Sequence, residues 1–236
     1  TRARYDDVDI ITVRENTEGA YLAADAKISE DGETAESKMV VTRTGCERVT
    51  RYAFDLARAA GRKKVTLVHK ANILKTVSGM FLDEARKVAA EYPDIECDEM
   101  IVDAICMKLV MDPHQFDVIV TTNLFGDILS DLCAGLIGGL GLAPGANIGS
   151  DAAMFEAVHG SAPDIAGQKI ANPCALMLAS AQMLTYLGMH ERAELLRTAI
   201  TETISSGDRV TPDLGGTGNT GSFADAIIER IEKKRV

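Results

Sequence analysis

Short β-branched runs alternate with helical stretches along most of this chain, and that alternation constrains the fold more than any other feature. Val8-Asp-Ile-Ile-Thr-Val13, Lys64-Val-Thr-Leu-Val68, Glu99-Met-Ile-Val102 and Phe116-Asp-Val-Ile-Val-Thr121 read as strands. The last is an apolar run of the kind buried on both faces. Helical periodicity fills the gaps: Thr44 to Ala60 stopping at Gly61, Gly79 to Tyr92 ended by Pro93, Ala104 to Met111 ended by Pro113, and Gly126 to Ile137. Ala152 to Val158 reads as a further strand, followed by helices over Pro173–Gly188, Glu191–Ser206 and Ser222–Lys234. Strand–helix alternation predicts an α/β fold with parallel strands. Ala24 to Ser37 is polar and acidic and reads as an exposed excursion. The glycines from Gly138 to Gly149 read as a tight connection, which places a domain boundary near Gly138.

Composition narrows the function. The 236 residues are 46% hydrophobic, enough for a sizeable core in one large domain or two small ones. The 35 acidic against 25 basic side chains give a net charge of −10, which disfavours nonspecific attraction to nucleic-acid phosphates. No stretch approaches the roughly 20 apolar residues needed to span a bilayer. Five cysteines with no CxxC spacing are a reducing-compartment pattern, and no secretory signal pattern is visible. Thr1-Arg-Ala-Arg leads almost directly into a strand, so a preceding segment of the protein is expected.

The chemistry-bearing residues gather at the ends of strands. Asn123-Leu-Phe-Gly-Asp127-Ile-Leu-Ser-Asp131 follows the Phe116–Thr121 run. Asp127 and Asp131, four apart, share a helix face and could reach one Mg²⁺ or Mn²⁺, ions that prefer hard oxygen ligands; the structural alternative is an N-capping aspartate and a solvated neighbour. Asp103 ends another strand, where open α/β sheets place ligands, or it caps the following helix. In Val68-His69-Lys70-Ala71-Asn72, Lys70 could carry a proton or simply be a surface lysine; His69 reads as packed, since no second histidine stands at metal-binding spacing.

Arg14-Glu15-Asn16-Thr17-Glu18-Gly19-Ala20-Tyr21 follows the first strand. Arg14 offers a fork for a carboxylate and Tyr21 a phenol, although a polar loop with a half-buried tyrosine would look the same. His159-Gly160-Ser161-Ala162-Pro163-Asp164-Ile165 is a small-residue loop that could admit a nucleotide or be a plain turn. An aspartate there favours a ribose diol over a 2′-phosphate, and so NAD over NADP. Gly139-Leu-Gly141 lacks the remaining Rossmann glycine and follows a helix; no Walker lysine is present. Together these groups suit metal-assisted chemistry on a small polyanion.

Arg-Glu-Asn-Thr-Glu-Gly-x-Tyr, His-Lys-Ala-Asn, Val-Asp-Ala, Thr-Thr-Asn-Leu-Phe-Gly-Asp-Ile-Leu-Ser-Asp, His-Gly-Ser-Ala-Pro-Asp-Ile-Ala-Gly and Thr-Pro-Asp-Leu-Gly-Gly occur in order. With these six motifs the chain resembles the β-decarboxylating dehydrogenases, which act on isocitrate, homoisocitrate or 3-isopropylmalate. The resemblance covers essentially all of the chain. Its texture is most similar to bacterial NAD-dependent isocitrate dehydrogenases. One departure is Ala104, where many members carry Asn.

The resemblance implies a two-domain fold without a Rossmann cofactor site. Residues 1–138 would form the small domain, with a dimer clasp near 22–42, and 139–236 the C-terminal part of the large domain. It implies a homodimer with shared sites: Asp127 and Asp131 binding Mg²⁺ or Mn²⁺, with Asp103 and the general base Lys70 reaching across from the partner. Tyr21 would return a proton to carbon, and Arg14 and Asn16 would bind substrate. Asn72, His159, Gly160, Ser161, Ala162, Asp164, Ile165, Asn172 and Asp213 would hold NAD. Asn16 and Glu18 resemble the tricarboxylate signature, where the isopropylmalate branch has an apolar residue and a glycine. An apolar pocket holds a γ-carboxylate poorly, so isocitrate or homoisocitrate is favoured. A catalytically degraded regulatory subunit is the non-enzyme alternative, opposed by the survival of Tyr21, Lys70, Asp103, Asp127 and Asp131. A Mg²⁺-dependent phosphoryl-transfer enzyme is opposed by the absent phosphate cradle. The expected location is a bacterial cytoplasm or a mitochondrial matrix.

Overall fold

The computed structural model describes residues 3–234. Within them the chain divides into two compact units, one of residues 7–133 and one formed mainly by residues 134 onward.

The first unit is built on a four-stranded parallel sheet. Its strands are β1 (Ile11–Arg14), β4 (Lys64–His69), β5 (Glu96–Ile101) and β6 (Val118–Thr121), in the order β1-β6-β4-β5. The pairing register sets Arg14 opposite Thr121 and Val68 opposite Thr121 on the other side, so the three carboxyl ends lie together. Every residue of β6 is buried, as its unbroken β-branched run predicts for a central parallel strand. The helices α1 (Arg43–Ala59) and α2 (Val77–Ala89) pack on this sheet. Their Ala53, Phe54, Ala57, Phe81, Leu82 and Ala85 form one core with Val65, Leu67, Val118 and Val120 of the strands.

Helix α1 is started by Thr42, whose hydroxyl accepts from the Gly45 N–H. Asp117 anchors the opposite end of the sheet. Its carboxylate accepts from the Lys63 N–H at 2.7 Å and from Arg62 at 2.9 Å, pinning the entries of β4 and β6 together. The helices α3 (Val102–Met111) and α4 (Asn123–Leu136) complete the strand–helix alternation.

In the first unit the excursion after β1 and the start of α4 differ from the sequence expectation. The polar excursion is a ribbon of β2 (Gly19–Ile28) and β3 (Ala35–Val40), paired antiparallel and largely exposed. Its acidic alternation is a strand pattern with both faces in water, so burial leaves no imprint on it. Helix α4 begins at Asn123, three residues before Gly126, so Gly126 sits inside its first turn.

The second unit holds a two-stranded ribbon, β7 (Pro144–Ile148) with β8 (Ala153–Ala157), and three helices, α5 (Cys174–Tyr186), α6 (His190–Ser206) and α7 (Thr220–Lys233). Strand β7 lies in the glycine-rich stretch that reads as a connection. Cys174, Ala199, Ile200, Val210, Phe223 and Ile227 form the core here. Asn219 starts α7 through a reciprocal cap with Ser222. Among the described residues no helix is long and apolar enough to cross a membrane.

Phe81 is fully buried between α2 and the sheet. Phe81→Ala should cost about 3–5 kcal/mol by lost transfer energy and the cavity left behind. Urea unfolding followed by circular dichroism checks this; a loss well under 1 kcal/mol would contradict the packing described.

Candidate active site

The site of the first unit grows from the carboxyl ends of β1 and β6. β1 delivers Arg14 and then the loop Glu15–Glu18, and this loop is pinned by its own acids. Glu15 is 5% exposed, and its carboxylate accepts from the Thr17 and Glu18 N–H groups and from the Arg48 guanidinium at 2.9 Å. A buried carboxylate demands such partners. Glu18 accepts from both the N–H and the hydroxyl of Thr42, at 2.8 Å each, which ties the loop to the start of α1. Gly45 must lack a side chain for this, because a Cβ there would lie 2.5 Å from Glu18 Oε1.

Arg14 lies over the first turn of α4. Its Nη1 donates to Asp127 Oδ1 at 2.7 Å, while Nε and Nη2 donate to Asn123 Oδ1 at 3.0 and 2.7 Å. The guanidinium carbon stands 4.9 Å from the ring centroid of Tyr21, within cation–π range. Gly126 leaves room for the arginine stem: a Cβ there would meet Arg14 Cγ at 2.5 Å. Tyr21 is 54% exposed and its phenol hydrogen-bonds Asp127. That bond, burial and the carboxylate's charge push the phenol up from its ordinary value. The same bond, with Arg14 beside it, holds Asp127 below the usual aspartate range.

A second pair stands at the ends of β4 and β5. Lys70 Nζ is ion-paired with Asp103 of the same chain, which holds the Asp103 carboxyl low. Asp103 lies in the first turn of α3, not at its cap, which is Ile101. The Lys70 N–H donates to Ser78 Oγ at 2.6 Å, fixing the turn that carries the lysine. His69 is packed: it is 8% exposed, its Nδ1 accepts from the Ala71 N–H, and burial lowers its pKa.

Asp131 follows Asp127 by one helical turn and is exposed, as are Asn16 and Asn72. Hard carboxylate oxygens on consecutive turns fit Mg²⁺ or Mn²⁺ as a partial ligand set. Among the described residues no group of three or more His, Cys, Asp or Glu could hold a metal ion. The donor chemistry of Asp127 and Asp131 therefore fits such an ion only as part of a ligand set.

In the second unit, Asn172 Nδ2 donates to Asp213 Oδ2 at 2.9 Å, beside Gly141, where a Cβ would stand 3.4 Å from Asn172. Asn172 Oδ1 also accepts from the Cys174 N–H at the start of α5. His159, Gly160, Ser161, Ala162, Asp164 and Ile165 form an exposed or half-buried loop. Its backbone turns at Ala162, φ +44°, into a single 3₁₀ turn.

The sequence reading did not single out Asn123 as a chemical group, nor Glu15 and Glu18 as anchors. Their partners stand up to 109 residues away, and no local pattern signals that.

A family model described as isocitrate/isopropylmalate dehydrogenase matches residues 1–227. The chain is 50% identical over 228 residues to a 3-isopropylmalate dehydrogenase of Archaeoglobus fulgidus, covering 97% of this chain and 69% of the relative. It is 49% identical over 231 residues to the mitochondrial isocitrate dehydrogenase [NAD] catalytic subunit 5 of Arabidopsis thaliana, covering 98% and 61%. A crystal structure of isocitrate dehydrogenase from Methylococcus capsulatus superposes with a TM-score of 0.95 at 58% identity, covering 98% of this chain and 69% of that one. The chain thus spans about two thirds of the length of the proteins it matches.

The depressed Asp127 value has a direct consequence. Because the folded value lies below the unfolded one, the stabilisation is present above the ordinary aspartate range and is lost as pH falls through the depressed value. Carbon-detected NMR titration should show Asp127 ionising below a typical aspartate, and Tyr21→Phe should move its midpoint upward. A midpoint indifferent to Tyr21→Phe would show that the phenol does not bond this carboxylate.

Proposed function

This chain belongs to the isocitrate/isopropylmalate dehydrogenase family, and on that premise we propose that it serves NAD-dependent oxidative decarboxylation of isocitrate to 2-oxoglutarate and CO₂. Homoisocitrate and 3-isopropylmalate are the alternative substrates. The observation that carries the reading is the gathering of Arg14, Tyr21 and Asp127 at the ends of β1 and β6, with Lys70 and Asp103 paired at the ends of β4 and β5. These are the groups that oxidation of a hydroxy acid followed by loss of CO₂ requires: a cation for a carboxylate, a base for a hydroxyl and an acid for a carbon.

Each residue has a task that its surroundings permit. Arg14, held by Asn123 and Asp127, presents its positive guanidinium to a substrate carboxylate. The partner's Lys70 takes the hydroxyl proton as the carbon-bound hydride departs. Tyr21 gives its phenolic proton to the carbon that loses CO₂; a phenol carries that proton at neutral pH, and the Asp127 bond pushes its pKa further up. Asp127 and Asp131, with a partner's Asp103, would hold Mg²⁺ or Mn²⁺, which supplies Lewis acidity at the hydroxyl and keto oxygen, while NAD supplies the hydride acceptor. Asn72, the loop His159–Ile165, Asn172 and Asp213 would bind the cofactor, Asp164 facing a ribose diol. Asn16 stands beside the substrate.

In this reading the protein is a homodimer with a small domain over residues 1–138, the β2–β3 ribbon near 22–42 forming the clasp, and 139–236 belonging to the large domain. A bacterial cytoplasm or a mitochondrial matrix suits this metabolism. The regulatory-subunit alternative is disfavoured because the proton-transferring Tyr21 and Lys70 and all three aspartates are present.

Steady-state assays of the intact protein with isocitrate, homoisocitrate and 3-isopropylmalate, each with NAD and Mg²⁺, test the reading. Isocitrate should give the highest kcat/KM, and Lys70→Ala should lower kcat by about a hundredfold or more. A preference for another hydroxy acid moves the substrate; no reduction of NAD with any of them defeats the proposal. Shared sites predict complementation. Asp127→Asn and Asp103→Asn copies should each be nearly inactive, whereas refolding them together should restore activity, since a mixed dimer rebuilds one complete ligand set. Failure of the mixture to recover would place Asp103 outside the site.

A further inference from the structure

We propose that Asn123 is a positioning residue, whose carboxamide aims the Arg14 guanidinium at substrate without adding a second negative charge to the one Asp127 already places beside it. The inference rests on the reading that Arg14 binds a substrate carboxylate. Asn123 is 3% exposed, so its amide must find partners inside the protein. It uses both ends. Oδ1 accepts from Arg14 Nε at 3.0 Å and Nη2 at 2.7 Å, and Nδ2 donates to the Glu18 carbonyl at 2.8 Å.

The chemistry explains why an amide stands there. A carboxylate could accept from Arg14 but would face the Glu18 carbonyl as a second acceptor, with repulsion in place of a hydrogen bond. It would also add a negative charge to a guanidinium that already touches Asp127 at 2.7 Å. Arg14 would then be paired on two sides by carboxylates, with little field left for an anionic ligand. An apolar side chain would leave the Glu18 carbonyl and two guanidinium N–H groups without this partner. The carboxamide alone, with its one acceptor and one donor end, satisfies all three while contributing no charge.

Asn123 also couples segments that reach the site separately. Arg14 ends β1, Glu18 precedes the strand bearing Tyr21, and Asn123 opens the helix bearing Asp127. Gly19, at φ +92°, brings the chain so close that a Cβ there would stand 3.3 Å from Asn123 Cβ. One buried amide therefore sets the distance between the arginine, the phenol and the carboxylate.

The test is kinetic, on the intact protein with its preferred hydroxy acid. Asn123→Ala should raise KM for the hydroxy acid by about tenfold or more, the scale of a lost hydrogen bond to a charged group, while KM for NAD stays within about twofold. Asn123→Asp, nearly isosteric, should raise it at least as far. Combined with Arg14→Gln, neither substitution should add a further loss, because the amide acts through the arginine. Equal changes in both KM values, or full additivity with Arg14→Gln, would reduce Asn123 to a fold-stabilising residue and overturn the inference. A wild-type protein that turns over none of the hydroxy acids removes the functional reading itself and this inference with it. An active wild type with an unchanged hydroxy-acid KM in both Asn123 variants removes this inference alone.

Discussion

Parallel pairing of β1 with β6, with Arg14 opposite Thr121, is the constraint from which the rest of the site follows. It brings a loop from the first twenty residues beside a helix that starts more than a hundred residues later. A slip of one residue would turn Arg14 to the other face of the sheet. The register is protected by burial: Val118, Ile119, Val120 and Thr121 are all inside, and β4 holds the other edge of the strand with Val68 opposite Thr121. At the far end Asp117 ties the entries of β4 and β6 through Lys63 and Arg62. The apolar core thus fixes a polar geometry at its rim.

The rim is held by acids that do no chemistry. Glu15 is buried and ionisable, which would be costly if it were unpaired. Its oxygens are taken by loop N–H groups and Arg48, so the loop after β1 closes on a fixed point. Glu18 spans from that loop to Thr42 at the start of α1, and Gly45 keeps the space open. Where the acids freeze the loop, Asn123 and Gly126 orient the side chain that emerges from it. The site is accordingly anchored at Arg14 and open to solvent at Tyr21 and Asp131.

Much of this was legible in the sequence, for a physical reason. Fully buried parallel strands leave unbroken β-branched runs, so β4 and β6 could be read directly, and open sheets collect chemistry at their carboxyl ends, so Arg14, Lys70, Asp103 and Asp127 stood out by position. Exposed structure was harder. The β2–β3 ribbon buries neither face and carries acids throughout, so its composition resembled a loop. The start of α4 was misplaced because Gly126 looks like a turn residue; its real use is to let Arg14 pass over the helix. Asn123 was invisible as a functional group because its partners are set by tertiary pairing, and a single asparagine has no period.

The substrate question has the same physical shape. Identities of 50% to a 3-isopropylmalate dehydrogenase and 49% to an isocitrate dehydrogenase subunit are indistinguishable. They ought to be, since oxidation of the hydroxyl and loss of CO₂ are common to both and draw on the same scaffold. The substrates differ in one substituent, and discrimination between a carboxylate and an alkyl group needs only a few side chains around it. Of the two residues of the tricarboxylate signature, Glu18 is committed to Thr42. Its carboxylate shapes the loop and is spent before any substrate arrives. Asn16, on that same loop, is exposed. A glycine in place of Glu18 would therefore change the site by releasing the loop from Thr42 as much as by removing a charge.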